Sequence, residues 1–169
     1  ANRERKALEK IILFSAVEQI SNAKSQKPYT LVKARGWHKG VIGIIASRLK
    51  DLYGGICIAI SIDGNVGHGS IRSTEQIDLT EILQELKYRD VLISGGGHKQ
   101  AAGFSLLMDR LSEFDKVVTN HVSSLKSLKN PDTMLEIDGM IDIEAVNTDL
   151  ISNLDLLGPY GSKVPQPII

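Results

Sequence analysis

The segment Ser94-Gly95-Gly96-Gly97-His98-Lys99-Gln100-Ala101-Ala102-Gly103 joins three successive glycines to a histidine. Bare backbone of this kind can approach a ligand closely or take positive φ, which residues with a side chain resist. Backbone amides beside an imidazole are the chemistry of a phosphate cradle. Val91-Leu92-Ile93 leads in as a strand, and Lys99 to Ala102 reads as the first turn of a helix whose free amides would favour an anion. The competing reading is a tight turn with a surface histidine, because short glycine motifs recur by chance. A second segment, Gly67-His68-Gly69-Ser70-Ile71-Arg72-Ser73, supplies a guanidinium fork that matches phosphate, with the hydroxyls of Ser70 and Ser73 flanking it. A third, Gly36 to Leu49, carries Trp37, His38, Lys39 and Arg48. Trp37 reads as a core anchor rather than a base-stacking platform. His38 could touch a phosphate, and Arg48 could face a cleft or solvent. His68 reads as a packed strand residue, His121 as solvent-facing on a helix, and Cys57 as a buried, inert thiol. The four histidines, 38, 68, 98 and 121, are scattered and no Asp-His-His triplet occurs, so no complete metal site is expected within the chain.

These groups need elements to position them. Residues 3 to 26 keep mostly helical apolar spacing through Leu8, Ile11, Ile12, Val17 and Ile20, which predicts one long helix. Tyr29 to Ala34 reads as a strand, Val41 to Leu52 as a helix stopped by Gly54-Gly55, and Ile56 to Ile62 as a buried strand, together a βαβ unit. Asp63-Gly64-Asn65 makes a turn, Val66 to Arg72 returns as a strand, and Asp78 with Glu81 marks the start of a helix running to Leu86. Gly103 to Leu107 forms another strand, and Leu111, Phe114, Val118, Val122 and Leu125 define an amphipathic helix that ends before Asn130-Pro131. From Met134 to Glu144 apolar and acidic residues alternate as in a half-exposed strand, and a short helix, Asp149 to Leu157, follows. The fold class is therefore α/β: a central mixed β-sheet flanked by helices, after a long linker helix (residues 1–27) and before a partial segment (residues 131–169), with the α/β domain spanning residues 28–130.

The three motifs occur in one order within residues 36 to 103, and they resemble the DHH-associated domain of RecJ-type single-strand-specific exonucleases, members of the DHH phosphoesterase superfamily. The tail from Leu157 to Pro167 is similar to the family's turn into an OB-fold domain, with Lys163-Val164 departing from its usual Gly-Asn. The resemblance implies a parent enzyme that hydrolyses single-stranded DNA from the 5′ end in repair and recombination. It also implies that two Mn²⁺ or Mg²⁺ ions sit in a catalytic domain upstream, so the present chain would bind substrate without catalysing. Gly95, Gly96 and Gly97 would then present amides, His98 would reach a phosphate oxygen near the metals, and Arg72 would clamp the backbone with Ser70 and Ser73, joined by His38 and Arg48. Two alternatives stand beside it: a phosphodiesterase for short oligonucleotides or cyclic dinucleotides from the same superfamily, and a non-catalytic nucleic-acid-binding module.

Composition bounds these readings. A chain of 169 residues can bury roughly 68 to 70% of its unfolded surface, enough for one substantial core. No stretch approaches the ~20 apolar residues of a membrane span, and the charged start lacks the apolar centre of a secretion signal, so a cytoplasmic protein is expected. The chain opens on Ala1-Asn2 and closes on Pro167-Ile168-Ile169, which reads as a piece of something longer. Net charge is zero, but residues 1 to 50 hold 11 Lys or Arg against 3 Glu, leaving the other 119 residues at −8. A local basic surface can attract a polyanion on a neutral protein. Residues 130 to 169 hold seven acidic residues against Lys163 alone, a poor match for tracking a nucleic-acid backbone.

Overall fold

The computed structural model describes residues 2–23, 27–74, 77–126, 137–158 and 167. It divides into two compact units, residues 1–128 and 129–169. The first contains helix α1 (Asn2–Ser21), strand β1 (Thr30–Arg35), α2 (Ile42–Tyr53), β2 (Ile56–Asp63), β3 (Val66–Ser73), α3 (Leu79–Tyr88), β4 (Ser94–His98), β5 (Ala101–Leu107) and α4 (Leu111–Lys126). The five strands form one mixed sheet in the order β1-β2-β3-β5-β4. β1 and β2 are parallel, as a helical crossover through α2 requires, and the remaining pairs are antiparallel.

Alternation along β2 decides which helices cover which face. Ile56, Ile58 and Ile60 point one way, joining Ile71, Phe104 and Leu106 in a core sealed by Leu79, Ile82 and Leu86 of α3 and by Phe114, Val118 and Val122 of α4. Cys57 and Ala59 point the other way with Val32, under Ile45, Ala46 and Leu49 of α2 and Ile12 and Ala16 of α1. Small residues on this second face let α2 lie close to the sheet. α1, given its own segment in the sequence reading, therefore packs into the same unit as the sheet. It stops at Ser21, five residues short of the expected end, although residues 24–26 lie outside the described residues.

Local chemistry sets the boundaries. Asp78 caps α3 by accepting from Thr80 N–H at 2.9 Å, Gly54 ends α2 at φ 68°, and Gly64 turns β2 into β3 at φ 59°. Trp37 and Cys57 are buried, as expected, and burial pushes the Cys57 thiol up to about 11. His121 corrects the sequence reading: it is half-buried, and its Nε2 lies 2.6 Å from Glu85 Oε2, tying α4 to α3. That hydrogen bond, opposed by desolvation and reinforced by Arg89, holds the Glu85 carboxyl below its ordinary range.

Two further expectations change. Val91 to Ile93 is not a strand; the glycine run itself is one, β4. Lys99 and Gln100 do not begin a helix but turn β4 directly into β5, a hairpin in which Gly97 pairs with Ala102 and His98 with Ala101. In the second unit, residues 137–142 are not a strand, and a 3₁₀ turn occupies Ile143–Ala145, while Met134 to Glu136 lie outside the described residues. Helix α5 (Thr148–Asp155) is capped by Asn147, which accepts from Leu150 N–H at 2.9 Å. The tail residues 159–166 likewise lie outside the described residues.

Phe104 stacks on Phe114 with centroids 4.8 Å apart, and its ring lies over Gly69 on the neighbouring strand, where an added Cβ would meet ring carbon at 2.1 Å. Gly69→Ala is therefore expected to destabilise the domain by about 1 to 3 kcal/mol, read by thermal unfolding, through overpacking of the Phe104 ring.

Candidate phosphate-binding platform

α1 and α2 cover β1, β2 and β3 on the second face, and their cover stops there. The strand registers align three cross-strand rows on that face: Arg72-Ala101-His98, Ser70-Gly103-Gly96 and His68-Ser105-Ser94. The middle positions are small, and a Cβ at Gly96 would meet nothing within 4 Å, at Gly103 only Gly69 O at 3.9 Å. The result is a trough floored by the backbone of Gly96 and Gly103 and by the Ala101 methyl. Arg72 stands on one side and His98 on the other, two strand spacings or roughly 10 Å apart at the backbone. An open depression of about 210 Å³ occupies it, lined by Ser70, Arg72, Gly96, Ala101, Ala102 and Gly103.

Arg72 is the organising group. Its Nη1 donates to Ser70 Oγ and to Ile71 O, each at 2.8 Å, and reaches Ala102 O at 3.5 Å. Every acceptor is neutral, and among the described residues no carboxylate pairs with it. Burial alone lowers the Arg72 pKa, the signature of a cation taken partly out of water without a counter-charge. Its Nη2 lies 3.2 Å from where a Cβ of Gly43 would sit, so the first turn of α2 passes close over the guanidinium, and a side chain at residue 43 would crowd the arginine's tip. A helix N-terminus and a fixed guanidinium thus approach the same space, and both favour an anion.

The glycines divide their roles. Ser73 N–H donates to Gln100 O and Met108 N–H to Asn65 O. Alternation of an antiparallel ladder then directs the even residues of β5 to β3 and the odd ones to β4. By the same alternation Gly95 and Gly97 turn their peptide groups to the outer edge of the sheet, and Gly96 turns its own toward β5. Gly96 therefore serves as floor, and its amide is not offered to a ligand.

Several sequence-derived candidates fall elsewhere. Ser73 faces away from Arg72, is buried, and donates to Ile77 O at 3.0 Å and Lys99 O at 3.3 Å, so it anchors the hairpin turn. His38 is exposed and accepts from Gly40 N–H at 3.1 Å through Nδ1, shaping the loop before α2 rather than the platform. Arg48 does join Arg72 along the depression beside α2. Residues missed from sequence are Gly43, Gly103, Ser94, Ser105 and His68. Ser94 and Ser105 hydroxyls lie 2.6 Å apart at the end of the trough, and His68 shares the face of Ser70 and Arg72 by strand periodicity alone.

The platform's guanidinium, imidazole and hydroxyls come with no carboxylate, the oxygen donor around which Mn²⁺ and Mg²⁺ sites are built. Among the described residues no three His, Cys, Asp or Glu side chains group together.

An α/β domain with a mixed sheet and helices on both faces is the class that the geometry defines. The chain belongs to the DHHA1 domain family, whose model matches residues 26–124. Its relatives include the single-stranded-DNA-specific exonuclease RecJ of Bacillus subtilis, 28% identical over 98% of this chain and 21% of that protein. RecJ of Escherichia coli is 27% identical over 99% of this chain and 30% of the relative. Among solved structures, RecJ from Thermus thermophilus in complex with Mg²⁺ aligns with a TM-score of 0.77 and 26% identity, covering 98% of this chain and 25% of that one. The chain thus spans about a fifth to a third of the length of these proteins, and the resemblance carried by the three motifs extends along nearly all of it.

The glycines provide a test of the floor. A Cβ at Gly97 would lie 2.4 Å from Ala101 O and 2.5 Å from Ala102 Cα. Gly97→Ala is expected to cost about 1 to 3 kcal/mol in thermal unfolding. Gly96→Val is expected to leave the melting temperature near that of the parent chain while weakening binding of a phosphorylated oligonucleotide, because its side chain fills the trough.

Proposed function

We propose that this domain grips the sugar-phosphate backbone of single-stranded DNA for a metal-dependent exonuclease of the RecJ type. In this reading Mn²⁺ or Mg²⁺ and the hydrolytic water belong to a catalytic domain outside these residues, and the isolated chain binds substrate without cleaving it. Digestion from the 5′ end, service in repair and recombination, and a cytoplasmic setting are what the motif resemblance implies for the parent enzyme. No helix among the described residues is long and apolar enough to cross a membrane.

The observation that carries the proposal is Arg72: a half-buried guanidinium, fixed by neutral acceptors, beside a trough floored by the backbone of Gly96 and Gly103 and the Ala101 methyl. A phosphate supplies the missing counter-charge and can accept from the guanidinium donors that Ser70 and Ile71 O leave free, and because Nη1 already orients the group, little side-chain entropy is lost on binding. His98, on the opposite rim, can donate to the same phosphate or its neighbour. Holding the strand in this way is how a domain without metal ligands contributes to hydrolysis: it restricts where the scissile bond can lie.

The test is fluorescence anisotropy of the chain with a 5′-phosphorylated single strand at two salt concentrations. The parent chain is expected to bind in a salt-sensitive manner, Arg72→Ala to lose roughly tenfold to a hundredfold in affinity, and His98→Ala to lose less. Unchanged binding by Arg72→Ala with an unchanged melting temperature would contradict the assignment.

A further inference from the structure

On the far side of Arg72 lies a second open depression, lined by Gly43, Ile44, Ser47, Arg48 and Asp51 of α2 together with Arg72 itself. Residues 43, 47 and 51, with 44 and 48, follow helical spacing, so one stripe of α2 forms the wall. Arg72 belongs to both depressions. Its Nη1 is fixed on the platform side by Ser70, whereas Nη2 lies against Gly43. Two guanidiniums therefore border the second depression. The one carboxylate among its lining residues, Asp51, has Oδ1 3.0 Å from Lys50 Nζ.

Arg48 is held from below. Its Nε lies 3.4 Å from Glu9 Oε1, and the side chain of Glu9 is only 18% exposed while that of Arg48 is 60% exposed. α1 thus carries a mostly buried carboxylate under α2, and it engages Arg48 through one nitrogen.

We infer that this depression takes the next phosphate along the bound strand, between Arg48 and Arg72, and that Glu9 is an internal competitor that holds Arg48 in place until that phosphate arrives. The inference rests on the platform being a phosphate grip and extends it by one nucleotide. A long, single-nitrogen pair to an exposed arginine is weak. A phosphate that accepts from both nitrogens of the fork is a stronger partner, so the exchange favours substrate. Ser47 adds a hydroxyl donor on the same wall. Because Arg72 borders both depressions, one fixed guanidinium serves both phosphate positions.

The experiment is a heteronuclear NMR titration of the 169-residue chain, following the arginine Nε–Hε resonances with two ligands. Thymidine 5′-monophosphate carries one phosphate and a 5′-phosphorylated thymidine dinucleotide carries two. The expected result is that the mononucleotide shifts Arg72 alone and the dinucleotide shifts Arg72 and Arg48 together. Glu9→Gln is expected to raise dinucleotide affinity about twofold to fivefold. Arg48→Ala is expected to reduce the slope of log affinity against log salt by about 0.7 for the dinucleotide. A dinucleotide that shifts Arg72 but leaves Arg48 in place, or a Glu9→Gln variant that binds no better with an unchanged melting temperature, would overturn the second position while leaving the platform intact. If neither ligand moves Arg72, the platform falls and the second position with it.

Discussion

The half-buried charge of Arg72 without a carboxylate partner is the constraint around which this face of the domain is arranged. A guanidinium taken partly out of water needs acceptors, and Ser70 Oγ, Ile71 O and Ala102 O supply them to Nη1 without neutralising the charge. That arrangement dictates its neighbours. Glycine at residue 43 leaves the guanidinium its room beneath α2, and the β2 face beneath α2 is small, as Cys57 and Ala59 are. Helical cover must also end at β3, which leaves β5 and β4 open. The uncompensated charge and the open floor are thus two results of one packing solution.

Rigidity comes from the opposite face. There the isoleucines of β2 meet α3 and α4, Phe104 closes over Gly69, and the pair of Glu85 with His121 and Arg89 ties α3 to α4 and to its own last turn. At the start of β1, Tyr29 O–H donates to Asp115 on α4, and Lys27 Nζ lies 2.5 Å from the same carboxylate oxygen. Burial and the neighbouring Asp115 carboxylate both push the Tyr29 phenol up, so it stays a donor, and the contact pins the sheet's parallel edge to the helix layer. A well-packed core on one side lets the other carry a polar, thinly covered surface without losing its shape.

Much of this was legible in the residues. Period-two alternation in β2, the glycine stop after α2 and the Asp78 cap fix the βαβ unit and the two-faced sheet. Arg72 stands out because guanidinium, hydroxyl and glycine share one strand. Other features were hidden by local propensity. Glycine is depleted in strands, so Ser94 to His98 reads as a loop, yet pairing with β5 makes it an edge strand and turns Lys99-Gln100 into a hairpin rather than a helix start. Propensity lost there to tertiary pairing. Ser73 was a different miss: neighbouring strand residues point to opposite faces, so it could not flank Arg72 on the same side, and the same rule would have put His68 on the platform. Gly43 and Gly103 carry no local signal, because their role exists only once α2 and β5 lie beside β3.

The most direct measurement of the central claim couples Arg72 to the charge of a single phosphate. Binding of the chain to a single strand is compared with binding to the same strand carrying a neutral methylphosphonate linkage near its 5′ end, for the parent chain and for Arg72→Ala. If the platform holds a phosphate through Arg72, neutral substitution weakens the parent chain but adds nothing to the loss already present in the variant. Equal losses in both proteins would mean that Arg72 does not meet the phosphate and that its unpaired charge serves the fold alone.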